Sequence, residues 1–393
     1  METIKNSKKA YIIETIMFFT YVFFGVNWIV GTTLTPEIME YFKLSTFSSA
    51  TFVSNAITIA KILGNLVAAD ILYKLFPKKA IGLASFSIFF GSMIAIIAPS
   101  YIFFIFGRFI MGFGGALYIV YFNPVVINYF TEDKRPFLNT VNNACYNIGS
   151  IVALICVGPV VNLLKNWKYS MAFFAMISLV LFIIWIIFGE DFEILKKNEK
   201  KSKLSIELKE KFTWILPFTY AGRLTLFLVF LTIFPISGLS VIDAKLLSVL
   251  IAIGGLFGSF FAMKIAKKSS RRLPVIRYSG LGMPICAVIL LLTQSSIIEI
   301  IASFLVGVFI YLPLTSLFTI PQELEGMTIS RLTAVMSLFW SISYIFETIS
   351  YYLIGRIIDS RGYFVGLFIA AMLSLTCFIG SFLLPETGKI NRN

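Results

Sequence analysis

Twelve predominantly apolar stretches, broken near the middle by one long polar run, leave this chain few folds to choose from. Each is about twenty residues or more, the length an α-helix needs to cross the hydrocarbon core of a bilayer. They cover 11–31, 48–71, 80–98, 101–130, 138–160 and 169–188, then 213–235, 246–263, 274–293, 297–320, 332–358 and 363–384. The polar run, 189–212, holds seven lysines and separates halves of 188 and 181 residues. The expected fold is therefore an all-α membrane protein of twelve transmembrane helices. Two six-helix bundles, 1–188 and 213–393, are related by a pseudo-twofold axis and joined by a cytoplasmic linker, 189–212. Two similar bundles can rock about a site held between them, which is how transporters with internal repeats are built.

Only 13% of the residues are charged and 58% are hydrophobic, against about 25% charged in a soluble domain. The net charge of +13 is scattered in short clusters between apolar segments rather than gathered in a stripe, so nucleic acid is not an expected partner. Topology accounts for it instead. With the amino terminus inside, 23 basic residues fall in cytoplasmic loops and tails and 6 in outer loops. That asymmetry places both termini in the cytoplasm and the chain in the cytoplasmic membrane. The apolar run after METIKNSKKA is long enough to span and is read as a retained first helix, not a cleaved signal.

Histidine is absent, and the four cysteines, Cys145, Cys156, Cys286 and Cys377, lie in apolar segments without CxxC spacing. Neither a metal nor another cofactor is expected, and histidine-based catalysis is excluded. No GxxxxGK[ST] run appears, so ATP-driven transport is unsupported. The chain does not read as an enzyme, nor as a receptor with a soluble signalling domain.

Internal repetition is visible. Pro124 is followed by Arg135 and Pro321 by Arg331, at nearly the same offset. GNLVAADILYKLFPKK, from Gly64, matches GSFFAMKIAKKSSRR, from Gly258, as a small-residue helix end running into a basic loop. With these features the chain resembles the major facilitator superfamily over essentially its whole length. GRFIMGFGG, around Arg108, is similar to the family's arginine-containing, glycine-rich fourth-helix motif, and Gly158-Pro159 to its Gly-Pro motif. The loop after segment two departs from the family pattern: Ala68 stands four after Gly64, Asp70 comes two places late, and Pro77 falls near the usual glycine. The basic pair Lys78 and Lys79 remains. The resemblance implies a gating role for Asp70, Lys78 and Lys79, an association of Arg108 with proton coupling, and a cavity-lining seventh segment.

A charge inside the hydrocarbon costs about 2.5 to 3.5 kcal/mol on insertion scales, so each one there is a functional candidate. Lys61 shares a helical face with Ser54, Thr58 and Asn65; it lines the central path, snorkels to headgroups, or pairs with a carboxylate. Arg108 has Gly112 and Gly115 on its face, a spacing that admits a close neighbour helix. It donates to backbone carbonyls or touches substrate. Arg223 lies near the middle of segment seven, where it binds an anionic group or forms a fixed pair with Glu347. Glu347 shares a face with Trp340, Tyr344 and Tyr351, and is open to three roles: proton carrier, partner of a cation, or substrate contact. Segment five offers Asn139, Asn142, Asn143, Tyr146, Asn147 and Ser150; Asn143 and Asn147, one turn apart, are either substrate contacts or helix-to-helix bonds. Tyr118, Tyr220, Tyr311 and Tyr344 supply aromatic walls. Glu14, Asp70 and Glu299 sit nearer segment ends, within expected reach of water or headgroups, which leaves the interior cation-rich by about two charges.

The expected function is secondary transport of a small organic or inorganic anion by alternating access, through exchange or proton symport. Its partners are the anion, the bilayer and protons, and it is expected to work as a monomer. The alternatives are export of lipophilic compounds or drugs, and sugar transport, since the terminal PETGK is similar to a sugar-porter ending.

Overall fold

A computed structural model describes residues 7–131, 134–192, 204–268, 271–327 and 329–387, with the side chains of a few of these, including Asn143, left out. Among the described residues the regular structure is helical, and ten helices are long and apolar enough to cross a membrane. The expected segment 48–71 falls on a shorter apolar stretch, Phe52–Ala68, and 332–358 on a helix of 33 residues. The chain divides into two compact units: Met1–Ser45 with Phe52–Lys197, and Thr46–Thr51 with Asn198–Asn393.

The first unit holds α1 (Lys8–Thr33), α2 (Thr35–Phe42), α4 (Phe52–Ile97), α5 (Tyr101–Tyr129), α6 (Arg135–Leu164) and α7 (Trp167–Phe188). Ser7 caps α1, its Oγ accepting from the Ala10 N–H at 3.2 Å. Inside α1, Thr20 and Thr32 turn their hydroxyls back onto the carbonyls of Ile16 and Trp28. A hydroxyl in an apolar helix is thereby satisfied without water. The run called α4 is two arms that meet at Phe76, with φ 60° and ψ 159°. Pro77 explains the break, because proline disfavours helical geometry in the residue before it yet fits the first turn of the helix it opens. Both arms pack on α5, while α1 packs chiefly on α6 and α7. On α5, a Cβ at Gly112 would stand 2.6 Å from the Ile57 Cα, so the expected close approach at that glycine is observed.

The second unit holds α3 (Phe47–Ala50), α8 (Leu204–Glu207), α9 (Lys211–Thr232), α10 (Ala244–Lys268), α11 (Leu273–Leu292), α12 (Ser296–Tyr311), α13 (Leu314–Glu323), α14 (Ile329–Arg361), α15 (Tyr363–Leu373) and α16 (Leu375–Gly380). Two expected segments remain single spans, Ser296–Glu323 and Tyr363–Gly380, but each carries a local interruption of its hydrogen-bond ladder. The stretch 297–320 breaks at Leu312-Pro313 into α12 and α13, since Pro313 has no N–H to continue the ladder. The stretch 363–384 breaks at Ser374, whose hydroxyl donates to the Ala371 carbonyl at 2.6 Å. Asp359, near the end of α14, seats α3 by accepting the N–H groups of Phe47 and Ser48 at 2.7 and 2.9 Å. The glycine contact on α5 has a counterpart here: a Cβ on Gly307 of α12 would overlap the Ile251 carbonyl of α10.

Candidate functional site

In the second unit, α9 is buried almost continuously from Leu216 to Thr232, so Arg223 has no route to solvent along its own helix. The arginine is 2% exposed. Its Nη1 donates to the Ile310 carbonyl at 3.1 Å and its Nη2 to the Tyr220 hydroxyl at 3.2 Å. Ile310 lies in the last turn of α12, where carbonyls have no partner in their own helix, and the break at Pro313 thus supplies an acceptor. Tyr220, three residues before Arg223, shares its face and stacks under the guanidinium, with Cζ 4.5 Å from the ring centroid. Tyr311 lies 5.3 Å from Cζ. All the acceptors are neutral. The buried Nε meets no acceptor, and among the described residues no carboxylate lies within ion-pair distance of Arg223.

The wall continues onto α14. Tyr220 packs edge-on against Phe339 and Trp340, at 4.9 and 5.6 Å, and Trp340 stacks on Tyr344 at 6.0 Å. Glu347, one turn further, is fully buried. Tyr351 follows on the same face, its hydroxyl 3.0 Å from the Thr232 hydroxyl. The structure therefore gathers Arg223, Tyr220 and Tyr311 directly, and Tyr344 through Trp340.

In the first unit, Ser54, Thr58, Lys61 and Asn65 are all buried along one face of α4. The Lys61 ammonium lies over the Trp28 ring at 4.8 Å and the Phe24 ring at 5.4 Å, a cation–π arrangement. Trp28 is held in turn by its indole N–H, which donates to Ser54 Oγ at 3.0 Å, and by edge contact with Tyr146 at 5.2 Å. Arg108, fully buried on α5, donates from Nε to the Val53 carbonyl, from Nη1 to that of Asn27 and from Nη2 to that of Trp28, each at 2.9 Å. One guanidinium thus joins α5 to the backbones of α1 and α4. Asn147 is 1% exposed, and neither atom of its amide has a hydrogen-bond partner among the described residues. The side chain of Asn143 lies outside the described residues.

Residues 16–324 match the family model described as Major Facilitator Superfamily, well over half of the chain. The chain belongs to this superfamily. It is 26% identical over 309 residues to an uncharacterised protein of Campylobacter jejuni, an alignment covering 76% of this chain and 95% of that one. Uncharacterised proteins from two strains of Mesomycoplasma hyopneumoniae are 26% identical over 229 residues, 52% of this chain and 47% of theirs. The chain therefore spans about half the length of the mycoplasma relatives. As a superfamily member it is a multi-pass membrane transporter handling small molecules.

The superfamily's loop after the second segment is built differently here. Asp70 and Lys79 are exposed and Lys78 is half-buried. The turn is held by an acid that follows α7, Asp191, whose Oδ1 accepts the Lys78 N–H at 2.9 Å; the neighbouring Glu190 instead receives Lys9 Nζ and, at 2.8 Å, the Tyr129 hydroxyl.

Two carboxylates depart from expectation. Glu14 and Glu299 are 5% and 1% exposed, not within reach of water. Packing of α6 against α1 encloses Glu14, and Asn142 Nδ2 donates to its Oε1 at 2.6 Å. Glu299 ties down the loop before α10, accepting from the N–H groups of Val241 and Ile242 at 2.9 and 2.8 Å and from Ser240 Oγ. Among the described residues the expected surplus of buried cations is not seen: Lys61, Arg108 and Arg223 share the interior with Glu14, Glu299 and Glu347. Trp28 was also missed as a site residue, since a lone tryptophan in an apolar segment carries no signal of the cation it faces.

Proposed function

We propose that the chain is a secondary transporter of a small organic or inorganic anion, with Arg223 as the anion contact of the second unit. The observation that carries this reading is local. A buried arginine needs compensation, and Arg223 finds only neutral oxygens, with Nε left over. A carboxylate or phosphate oxygen suits the planar fork and supplies the missing negative charge. Tyr220, Tyr311 and Tyr344 form the aromatic wall beside Arg223 in the second unit, and within the first unit Lys61, set over Trp28, is the candidate cation. Arg108 we assign to positioning, because its donors are engaged with main-chain carbonyls.

In this reading the chain forms twelve transmembrane helices, two bundles of six related by a pseudo-twofold axis and covering 1–188 and 213–393, with 189–212 as cytoplasmic linker. The chain sits in the cytoplasmic membrane with both termini on its cytoplasmic side. Transport proceeds by alternating access, and exchange of anions follows if Arg223 must be neutralised before the empty carrier returns. In the symport variant Glu347 carries the proton.

A thermal-shift screen of the purified protein against anions of varied size and charge tests the reading, since a ligand that binds only the folded state raises its stability. The expected result is stabilisation by at least one anion, lost in R223A and partly kept in R223K. Anion stabilisation and uptake undiminished in R223A sink the reading. Stabilisation by lipophilic compounds alone puts a drug exporter in its place.

A further inference from the structure

Glu14 of α1 and Asn142 of α6 form a buried acid–amide pair at a place where no functional residue was expected. Both are at most 5% exposed. Asn142 Nδ2 donates to Glu14 Oε1, while Glu14 Oε2 and Asn142 Oδ1 are buried and have no hydrogen-bond partner among the described residues. In the ionised state these leftover atoms are both acceptors, and neither can satisfy the other. A proton on Oε2 changes that at one stroke: the carboxyl becomes neutral and gains an O–H for which a primary amide oxygen is the matching acceptor.

Among the described residues the charged groups nearby are engaged elsewhere. From α5 the titratable group facing Glu14 is Tyr118, and from α6 it is Cys145. The titratable groups of α7, Lys168 and Tyr169, lie at its start, with Lys168 donating to the Tyr41 hydroxyl. On α4, Lys61 stands over Trp28, and Asp70, Tyr73, Lys74, Lys78 and Lys79 gather about the Phe76 turn. On α1 itself, Tyr11 is one turn away and receives Lys134 Nζ, and Lys9 is bound to Glu190. Among the described residues no cation lies within ion-pair distance of Glu14. A bare metal ion is a poor fit, because hard-cation sites take about six oxygen ligands and this one offers two acceptors and a phenol.

We propose that Glu14 and Asn142 form a proton-binding site in the first unit, separate from Arg223. Only its use in transport, as a proton site additional to Glu347, rests on the anion-carrier reading. Binding needs no redox partner: one proton from water adds to Oε2 and leaves by the reverse step.

The test is infrared difference spectroscopy of the full-length chain in lipid vesicles, with bath pH cycled and no anion substrate added. Wild type is expected to show a protonated-carboxyl C=O band that comes and goes reversibly, is missing in E14Q, and persists in E347Q and R223A. N142L, which keeps the acid and removes the amide, should displace the band. A wild-type-minus-E14Q difference without a carboxyl band at any pH overturns the proposal, and so does a band that follows sodium at fixed pH. Should E14Q fail to fold, a band at the same position in N142L as in wild type overturns it equally. Because this readout involves no anion, its failure is distinct from that of the anion reading, which the R223A thermal shift decides.

Discussion

Gly31 leaves room for the Arg108 guanidinium: a Cβ at position 31 would stand 2.8 Å from Arg108 Cζ and overlap Nη1, so a larger residue there requires the arginine head to move. The guanidinium lies across the turn of α1 whose Asn27 and Trp28 carbonyls it binds. G31A should push it off at least one of them. A hydrogen bond made by a charged group contributes about 1.5 to 3 kcal/mol, so a loss of that order is expected as a lower melting temperature of the purified protein. G25A, on the same helix, is the control, because its Cβ would meet the Tyr146 carbonyl at an ordinary 3.4 Å. Equal melting of G31A and wild type would remove Arg108 as a staple.

Tyr220 both cradles Arg223 with its ring and occupies Nη2 with its hydroxyl. Y220F keeps the first contact and removes the second. If the fork is what binds the anion, a released donor should strengthen binding by about two- to tenfold, the worth of one hydrogen bond of about 0.5 to 1.5 kcal/mol. Y220A, which also removes the ring, should weaken it. Titration of the stabilising anion against both variants reads the difference, and weaker binding in Y220F would make the phenol itself a ligand.

The helical membrane architecture was legible because the bilayer imposes it residue by residue: without water every backbone group must be paired within its own segment. The polar stripe of Ser54, Thr58, Lys61 and Asn65 was legible for a related reason, since a helix puts such a spacing on one face. What could not be read was who stands opposite. Arg108 and Arg223 bind main-chain carbonyls, and a carbonyl has no letter in the sequence. Glu14 looked exposed because it is near a segment end. Its burial depends on Asn142, far away in the chain, arriving beside it on α6. The break in α12 did carry a sign, Pro313, but the apolar run continues through it and hid the consequence.

Phe76 is held at φ 60° and ψ 159°, a region open to glycine and costly for a residue with a side chain. The strain is of the order of 1 to 3 kcal/mol. The side chain is 62% exposed, so little packing is lost by removing it. F76G should raise the melting temperature, by somewhat less than the full strain because glycine also gains freedom in the unfolded chain. F76A keeps the strain and should show no gain. A melting temperature for F76G at or below that of F76A would mean that the turn is not under strain in solution.

The turn that opens the second arm of α4 and the turn that opens α11 are held in the same manner by acids from far along the chain. Asp191 accepts the Lys78 N–H at 2.9 Å, while Glu386 accepts those of Arg272 and Leu273 at 2.7 and 3.1 Å. Each acid follows the last membrane helix of its own half, which gives the two halves a shared device that the segment lengths alone did not reveal. Arg272 is further fixed by Glu323, which its Nη2 meets at 2.7 Å, and this carboxylate holds the Arg272 pKa above its usual value. In E386A the amides of residues 272 and 273 lose a charged acceptor worth about 1.5 to 3 kcal/mol, so their hydrogen exchange should speed up about 10- to 100-fold while that of Lys78 is unchanged. D191A should do the converse. Exchange at the capped amides that is indifferent to both substitutions would show that water, not the carboxylate, is their acceptor.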